Sequence, residues 1–270
     1  LKERIKIKPS CHLIQGVKFR HPGSSYEHVA VTEKTDFDIA MVLPKPFNGD
    51  NFEVVGVRHG PGVYKLKWSK DEERPDFINP NGYLESLALR DKVFEQLNEI
   101  IKEVKKVRRQ DWNIQNKNYN ASICCIIKEH NEDFNIKIDL VPQMQVSRWD
   151  RTPAPPSKGQ LPSVLRDYVD RTDYPMFFSL AGPAKTPDDN DGYAAPHQLK
   201  RENYKHLLVT CSFSELEKHC LKSSKVVCNA VRLVKLVSLE KEWKKTFNLH
   251  SFHIKRVAIK HYDTLDKLSD

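Results

Sequence analysis

The chain has 270 residues, 39% of them hydrophobic and 30% charged, with 44 Lys and Arg against 36 Asp and Glu for a formal net charge of +8. No apolar run approaches the roughly 20 residues of a membrane helix, and six cysteines without framework spacing exclude a cystine-stapled secreted scaffold. The length suits two lobes, and the basic excess points toward an anionic partner, a merely basic surface being the bland alternative.

Leu1 opens the chain without an initiator Met or a signal-type segment, so it reads as a piece of a longer protein, with reduced thiols and a cytoplasmic location. A small, flexible turn at Gly23-Ser24-Ser25 precedes Asp36-Phe37-Asp38, which opens an apolar segment running to Pro44. On a strand, residues i and i+2 share a face, so Asp36 and Asp38 project together while Phe37 and Ile39 face a core. Phe52 to Trp68 alternates apolar and polar residues around Gly60-Pro61-Gly62, the pattern of two antiparallel strands and a turn. Asp71 to Pro80 is a charged connection. From an entry at Asn81-Gly82, Leu84, Leu87, Val93, Leu97, Ile100, Ile101 and Val104 recur at helical spacing. The far end of that helix carries Lys102, Lys105, Lys106, Arg108 and Arg109. The helix dipole favours cations there in any case, but Lys102, Lys105, Lys106 and Arg109 also form a candidate nucleic-acid surface.

Ile123 to Ile127 and Phe134 to Val141 read as a further strand pair, the second bearing Asp139. Asp150 to Gly159 and Ala181 to Pro196 are proline-rich and suit hinges or lobe crossings. Beyond them Phe213 to Leu221, Val226 to Phe247 and Ser251 to Lys260 are predicted helices, with an apolar face of Val227, Val231, Val234 and Leu239. The expected organisation is an α+β bilobed fold: a mixed-sheet core lobe over 1–150 and a mainly helical lobe over 151–270. His219, Cys220 and Cys228 offer three zinc donors where a closed site takes four, so no zinc is expected.

Two like charges on one strand face repel, and a divalent cation reverses the sign of that cost. If the strand of Asp139 neighbours that of Asp36 and Asp38, three carboxylates supply the oxygen ligands that Mg²⁺ (or Mn²⁺) prefers, suited to in-line nucleotidyl transfer. Gly23 and Ser24 leave backbone N–H groups open toward a triphosphate. A Gly-Ser turn, an Asp-x-Asp strand and a third Asp on a later strand together form a nucleotidyltransferase signature.

The stretches GSSYEHVAVTEKTDFDIAMV, NPNGYLESLALRDKVFEQLNEIIKE, NIKIDLV, CSFSELEKHCL and LHSFHIKRVAI, with Trp149 after the third-acid strand, resemble the cyclic GMP-AMP synthase (cGAS)-like receptors of the nucleotidyltransferase superfamily. The resemblance covers most of the chain in order. It implies that Asp36, Asp38 and Asp139 are the metal ligands and catalytic acids, with Asp139 the base for the attacking ribose hydroxyl. It also implies nucleotide contacts from Gly23, Ser24, Glu217, Lys235, Ser251 and Phe252. Phe252 would stack on a base, the alternative being a core aromatic; Lys235 would reach the phosphates, the alternative being a solvated charge. The substrates implied are ATP and GTP, joined into a cyclic GMP-AMP-type second messenger of innate immune sensing.

The implied activator is double-stranded nucleic acid, RNA favoured over DNA because the vertebrate zinc insertion is missing after Glu217. Assembly on the duplex is a further possibility. Thr210 stands where the family carries arginine. A long amphipathic helix before the Gly-Ser turn is not recognisable in Leu1 to Arg20, nor are the family's helices after Lys260. The alternative from another class is a catalytically silent relative acting as a scaffold or as a nucleotide- or nucleic-acid-binding module.

Overall fold

In the computed structural model, which describes residues 9–22, 36–56, 63–70, 73–107, 112–119, 121–129, 135–146, 161–171, 176–180, 206–247 and 249–269, the chain divides into two compact units. One takes in Leu1–Arg20, Asp38–Ala154 and Pro175–Ser212, the other His21–Phe37, Pro155–Tyr174 and Phe213–Asp270. The fold class is α+β.

A ten-stranded mixed sheet forms among the described residues, built from β1 (Lys18–Arg20), β2 (Asp36–Val42), β3 (Asn48–Gly49), β4 (Phe52–Gly56), β5 (Val63–Trp68), β6 (Trp112–Asn118), β7 (Ile123–Glu129), β8 (Asn135–Val146), β9 (Met176–Ser179) and β10 (Leu208–Ser212). Its main run is β1-β2-β8-β9-β10-β5-β4, with β6 and β7 branching from β8. The alternation in 52–68 gives the antiparallel pair expected, with Phe52 opposite Trp68 and Val54 opposite Leu66. Phe52, Val54, Leu66 and Trp68 are buried, as a pleat with one covered face requires. The Gly60-Pro61-Gly62 turn lies outside the described residues.

Strand β8 runs past the Val141 boundary expected from sequence, through Pro142 to Val146. A proline cannot donate to a ladder and ordinarily ends a central strand. Here it falls between two sets of partners: Asn135 to Leu140 pair with β7, and Gln143 to Val146 pair with β9. The missing N–H therefore breaks neither of those ladders.

Helix α1 (Ser86–Val107) starts later than the Asn81-Gly82 entry expected. Gly82 adopts φ 82°, and its N–H donates to Asn79 O at 2.8 Å, so residues 79–82 form a turn rather than a first helical turn. Leu84 is buried at a bridge to Ile78, and its N–H donates to Leu66 O at 2.9 Å. The helix begins where Ser86 Oγ donates to Leu208 O of β10 at 2.7 Å. Leu89, Val93, Leu97 and Ile100 then form its fully buried stripe. A 3-10 helix at Pro9–Ile14, where no long helix is recognisable in the sequence, packs on α1 through Leu13 N–H donating to Gln96 Oε1 at 3.2 Å.

The second unit contains α2 (Ser163–Arg171), α3 (Ser214–Ser223), α4 (Lys225–Glu240), α5 (Trp243–Phe247), α6 (Ser251–Lys260) and α7 (Tyr262–Asp266). The single helix expected over Val226 to Phe247 is two, because Glu242 takes φ 50° between α4 and α5. The apolar face expected on it is also corrected. Val227 and Val231 are buried, but Val234 and Leu239 are 39% and 56% exposed. The buried stripe continues instead through Lys235 and Ser238, at helical spacing from Val231. Tyr168 of α2 stacks on His219 of α3 with ring centroids 3.8 Å apart, and burial lowers the pKa of that imidazole. The six cysteines are buried thiols outside any disulfide, and no helix among the described residues is long and apolar enough to cross a membrane.

Phe178 of β9 is fully buried and meets Tyr64 edge-on with centroids 5.7 Å apart. Phe178→Ala is expected to destabilise the protein by about 4 kcal/mol through transfer loss and the cavity left, read as a lower denaturation midpoint at unchanged slope.

Candidate active site

Strand β2 begins wet and ends dry. Asp36 and Asp38 are exposed, Phe37 and Ile39 half-buried, and Ala40, Met41 and Val42 buried. The two carboxylates thus alternate with the apolar side chains, as the period of a strand dictates. β8 lies beside β2 in the sheet, and the Leu43 N–H just past β2 donates to Gln143 O at 2.9 Å. The strand bearing the third acid is therefore the neighbour of the strand bearing the first two.

Asp139 is half-buried and stands opposite Cys124 in the β7–β8 register. Its Oδ1 is buried without a hydrogen-bond partner. The Cys124 thiol is pushed up to about 11, by burial first and then by the neighbouring Asp139 carboxylate. A buried carboxylate oxygen lacking a donor carries an uncompensated desolvation cost, which a cation removes. Three carboxylates are hard oxygen donors of the kind that Mg²⁺ or Mn²⁺ takes. The donor chemistry and the orphaned Oδ1 fit such an ion. Among the described residues, however, no group of three or more His, Cys, Asp or Glu side chains is placed to hold one.

The helical unit carries the other candidates. Glu217, on α3, is buried and accepts a hydrogen bond from Lys255 Nζ of α6 at 2.6 Å, the two side chains being 12% and 11% exposed. Arg256 Nε lies 3.8 Å from the other carboxylate oxygen, and its guanidinium sits 5.1 Å from the Phe213 ring centroid. Lys235 is 7% exposed and has an interaction partner, so it is not a solvated surface charge. Ser251 opens α6 and is exposed. Phe252 is 48% exposed, which removes the core-aromatic alternative. Its ring lies 3.8 Å from that of His253 and 5.9 Å from that of His250, forming an open aromatic cluster. The His250 N–H donates to His253 Nδ1 at 3.0 Å, fixing the second imidazole.

On α1, Lys102 and Lys106 are exposed, whereas Lys105 Nζ donates to Asn116 Oδ1 of β6 at 2.8 Å. Gly23, Ser24, Trp149 and Arg109 lie outside the described residues, as do both proline-rich segments. Thr210 pairs with Val63 and Ser179 in β10. Two neighbours of the candidate residues, Lys255 and Cys124, escaped the sequence reading. Lys255 lies one helical turn beyond Ser251 and so shares its face, a signal that spacing could have supplied. Cys124 depends on strand register, which alternation alone does not set.

A mixed sheet with an Asp-x-Asp strand beside a third-acid strand, joined to a helical unit, defines a nucleotidyltransferase-type domain. Residues 25–223 match the Mab-21 protein nucleotidyltransferase domain, and the chain belongs to that family. No curated protein matches the chain significantly. The family match spans Asp36, Asp38, Asp139 and Glu217 and ends before Lys235, Ser251 and Phe252.

Because Glu217 and Lys255 are desolvated together, removing one partner leaves a buried charge. Lys255→Met is expected to cost about 3 kcal/mol, and the double variant Glu217→Gln/Lys255→Met to recover most of that loss. Chemical denaturation of the two single variants and the double variant checks the cycle.

Proposed function

We propose that this chain is a metal-dependent nucleotidyltransferase that joins ATP and GTP into a cyclic GMP-AMP-type dinucleotide. In this reading double-stranded nucleic acid switches it on, RNA in preference to DNA, in cytoplasmic immune sensing. The observation that carries it is the placement of Asp36 and Asp38 on the strand next to that of Asp139, whose Oδ1 is orphaned, in a member of the Mab-21 nucleotidyltransferase family.

Asp36, Asp38 and Asp139 would hold Mg²⁺ or Mn²⁺, which supplies charge neutralisation at the reacting phosphate. Asp139 would then accept the proton of the attacking ribose hydroxyl. Gly23 and Ser24 would receive the triphosphate. Lys235 provides a cation and Ser251 a hydroxyl for nucleotide phosphates, while Phe252, with His250 and His253 beside it, offers a face for a base. Such chemistry proceeds by positioning and electrostatics, without a covalent protein intermediate.

A second reading, a silent scaffold that binds nucleotides or partners, draws on Glu217. The acid read as a nucleotide contact is already held by Lys255. Thr210, where the resembled family has arginine, points the same way.

Incubation with ATP, GTP, Mg²⁺ and duplex RNA or DNA, followed by mass spectrometry and phosphatase treatment, separates these readings. A phosphatase-resistant product is expected, falling by roughly two to three orders of magnitude in Asp139→Asn. A phosphatase-sensitive product marks a linear oligonucleotide. No nucleotide product with Mg²⁺ or Mn²⁺ favours the scaffold. For the nucleic-acid surface, Lys102→Ala/Lys106→Ala is expected to weaken duplex binding regardless of sequence and to reduce the salt slope by about 1 per lysine. Fluorescence anisotropy across a salt series checks it.

A further inference from the structure

Asp139 needs two things that a lone carboxylate on a strand lacks: a fixed orientation, and one oxygen kept away from protein donors. An aspartate χ2 is a broad torsion, so the backbone sets where the group starts but not how its plane lies. The Oδ1 atom is nevertheless buried with no hydrogen-bond partner. Unless a neighbour holds the carboxylate, rotation toward solvent or a nearby donor would relieve that cost.

The register supplies such a neighbour. Cys124 is the cross-strand partner of Asp139, and directly opposed residues of an antiparallel pair share a face with Cβ atoms about 5 Å apart. Its side chain is 3% exposed, so the thiol is itself confined by packing. Cys125, the adjacent cysteine, stands opposite Ile138 and belongs to the other face of the strand. Only Cys124 of this pair can therefore reach the acid. Lys137, two residues before Asp139 and on its side of β8, is exposed.

We propose that Cys124 is a positioning residue for the third acid: from its place opposite Asp139 its thiol donates to the carboxylate and holds it with Oδ1 turned from protein donors and left for the divalent cation. This rests on the reading of Asp139 as a metal ligand. Ligating carboxylates are commonly held by a hydrogen bond from an outer group, and loss of that group weakens metal affinity by tenfold or more. A thiol suits the task because it is a weak, small donor in an apolar strand face and leaves the negative charge to the ion.

The test uses the whole chain and Mn²⁺ as probe, its binding followed by electron paramagnetic resonance alone and with a non-reacting ATP analogue. Cys124→Val removes the donor with a somewhat larger apolar side chain, Cys124→Ala removes the donor with less volume, and Cys124→Ser keeps a donor. Valine and alanine are each expected to weaken Mn²⁺ binding roughly tenfold. Serine should stay within about threefold of wild type, with melting temperature as the control for folding. In turnover, kcat should fall in the valine variant while KM for ATP holds.

Wild-type Mn²⁺ affinity in the valine or alanine variant overturns the proposal, as does a serine variant as weak as valine. Asp139→Asn separates the layers. Loss of Mn²⁺ binding there with wild-type binding in Cys124→Val overturns the positioning role alone. Full Mn²⁺ binding in Asp139→Asn overturns the metal reading beneath it, and this inference with it.

Discussion

Strand β8 is the element on which the sheet unit depends. Of its twelve residues, Asn135 to Leu140 pair with β7 and Gln143 to Val146 with β9, and β2 and β3 are also joined to it. The hydrogen bonds of one strand thereby hold together strands drawn from very different parts of the chain. The same strand carries Asp139. A residue at the centre of such a ladder has little backbone freedom, since moving it breaks bonds to more than one neighbour. The acid thus sits on a strand held by several neighbours, which is what the proposed function, with a carboxylate meeting a substrate within a fraction of an ångström, would call for.

The helical unit is organised around a different constraint. Its buried stripe turns polar along α4, with Lys235 and Ser238 inside while Leu233, Leu236 and Leu239 are exposed. Burial of a lysine is unfavourable without compensation, and a Glu217–Lys255 pair away from water gains little net stability over a hydrophobic replacement. Under the proposed function such side chains would serve a charged ligand rather than folding.

Legibility in the sequence followed the strength of the local pattern. The Asp-x-Asp strand, the 52–68 pair and the stripe of α1 were visible because burial on one face imposes a period that few alternatives share. β6 was not, because Trp112–Asn118 is rich in Asn and carries Lys117, residue types depleted in strands, and among the described residues it pairs with β7 alone. β9 and β10 were hidden in a half read as helical. They are short, and their assignment is a product of tertiary pairing. The start of α1 was misplaced because Leu84 fits the helical period by chance while its hydrogen bonds go to β5. The polar inward face of α4 was unreadable for the opposite reason: apolar residues mark the face exposed to solvent. The candidate acids followed from spacing. The hold of Lys255 on Glu217 and the proximity of Cys124 to Asp139 required coordinates.

Pro142 divides β8 into segments with separate allegiances. The stretch before it, which bears Asp139, is tied to the β6–β7 hairpin; the stretch after it is tied to β9, through which the run to β10, β5 and β4 continues. Evolution can therefore lengthen, shorten or recharge that hairpin without cutting the remainder of the scaffold. Diversification of the surroundings of the third acid among relatives would concentrate there, a modular seam written into the backbone by one residue that has no N–H to donate.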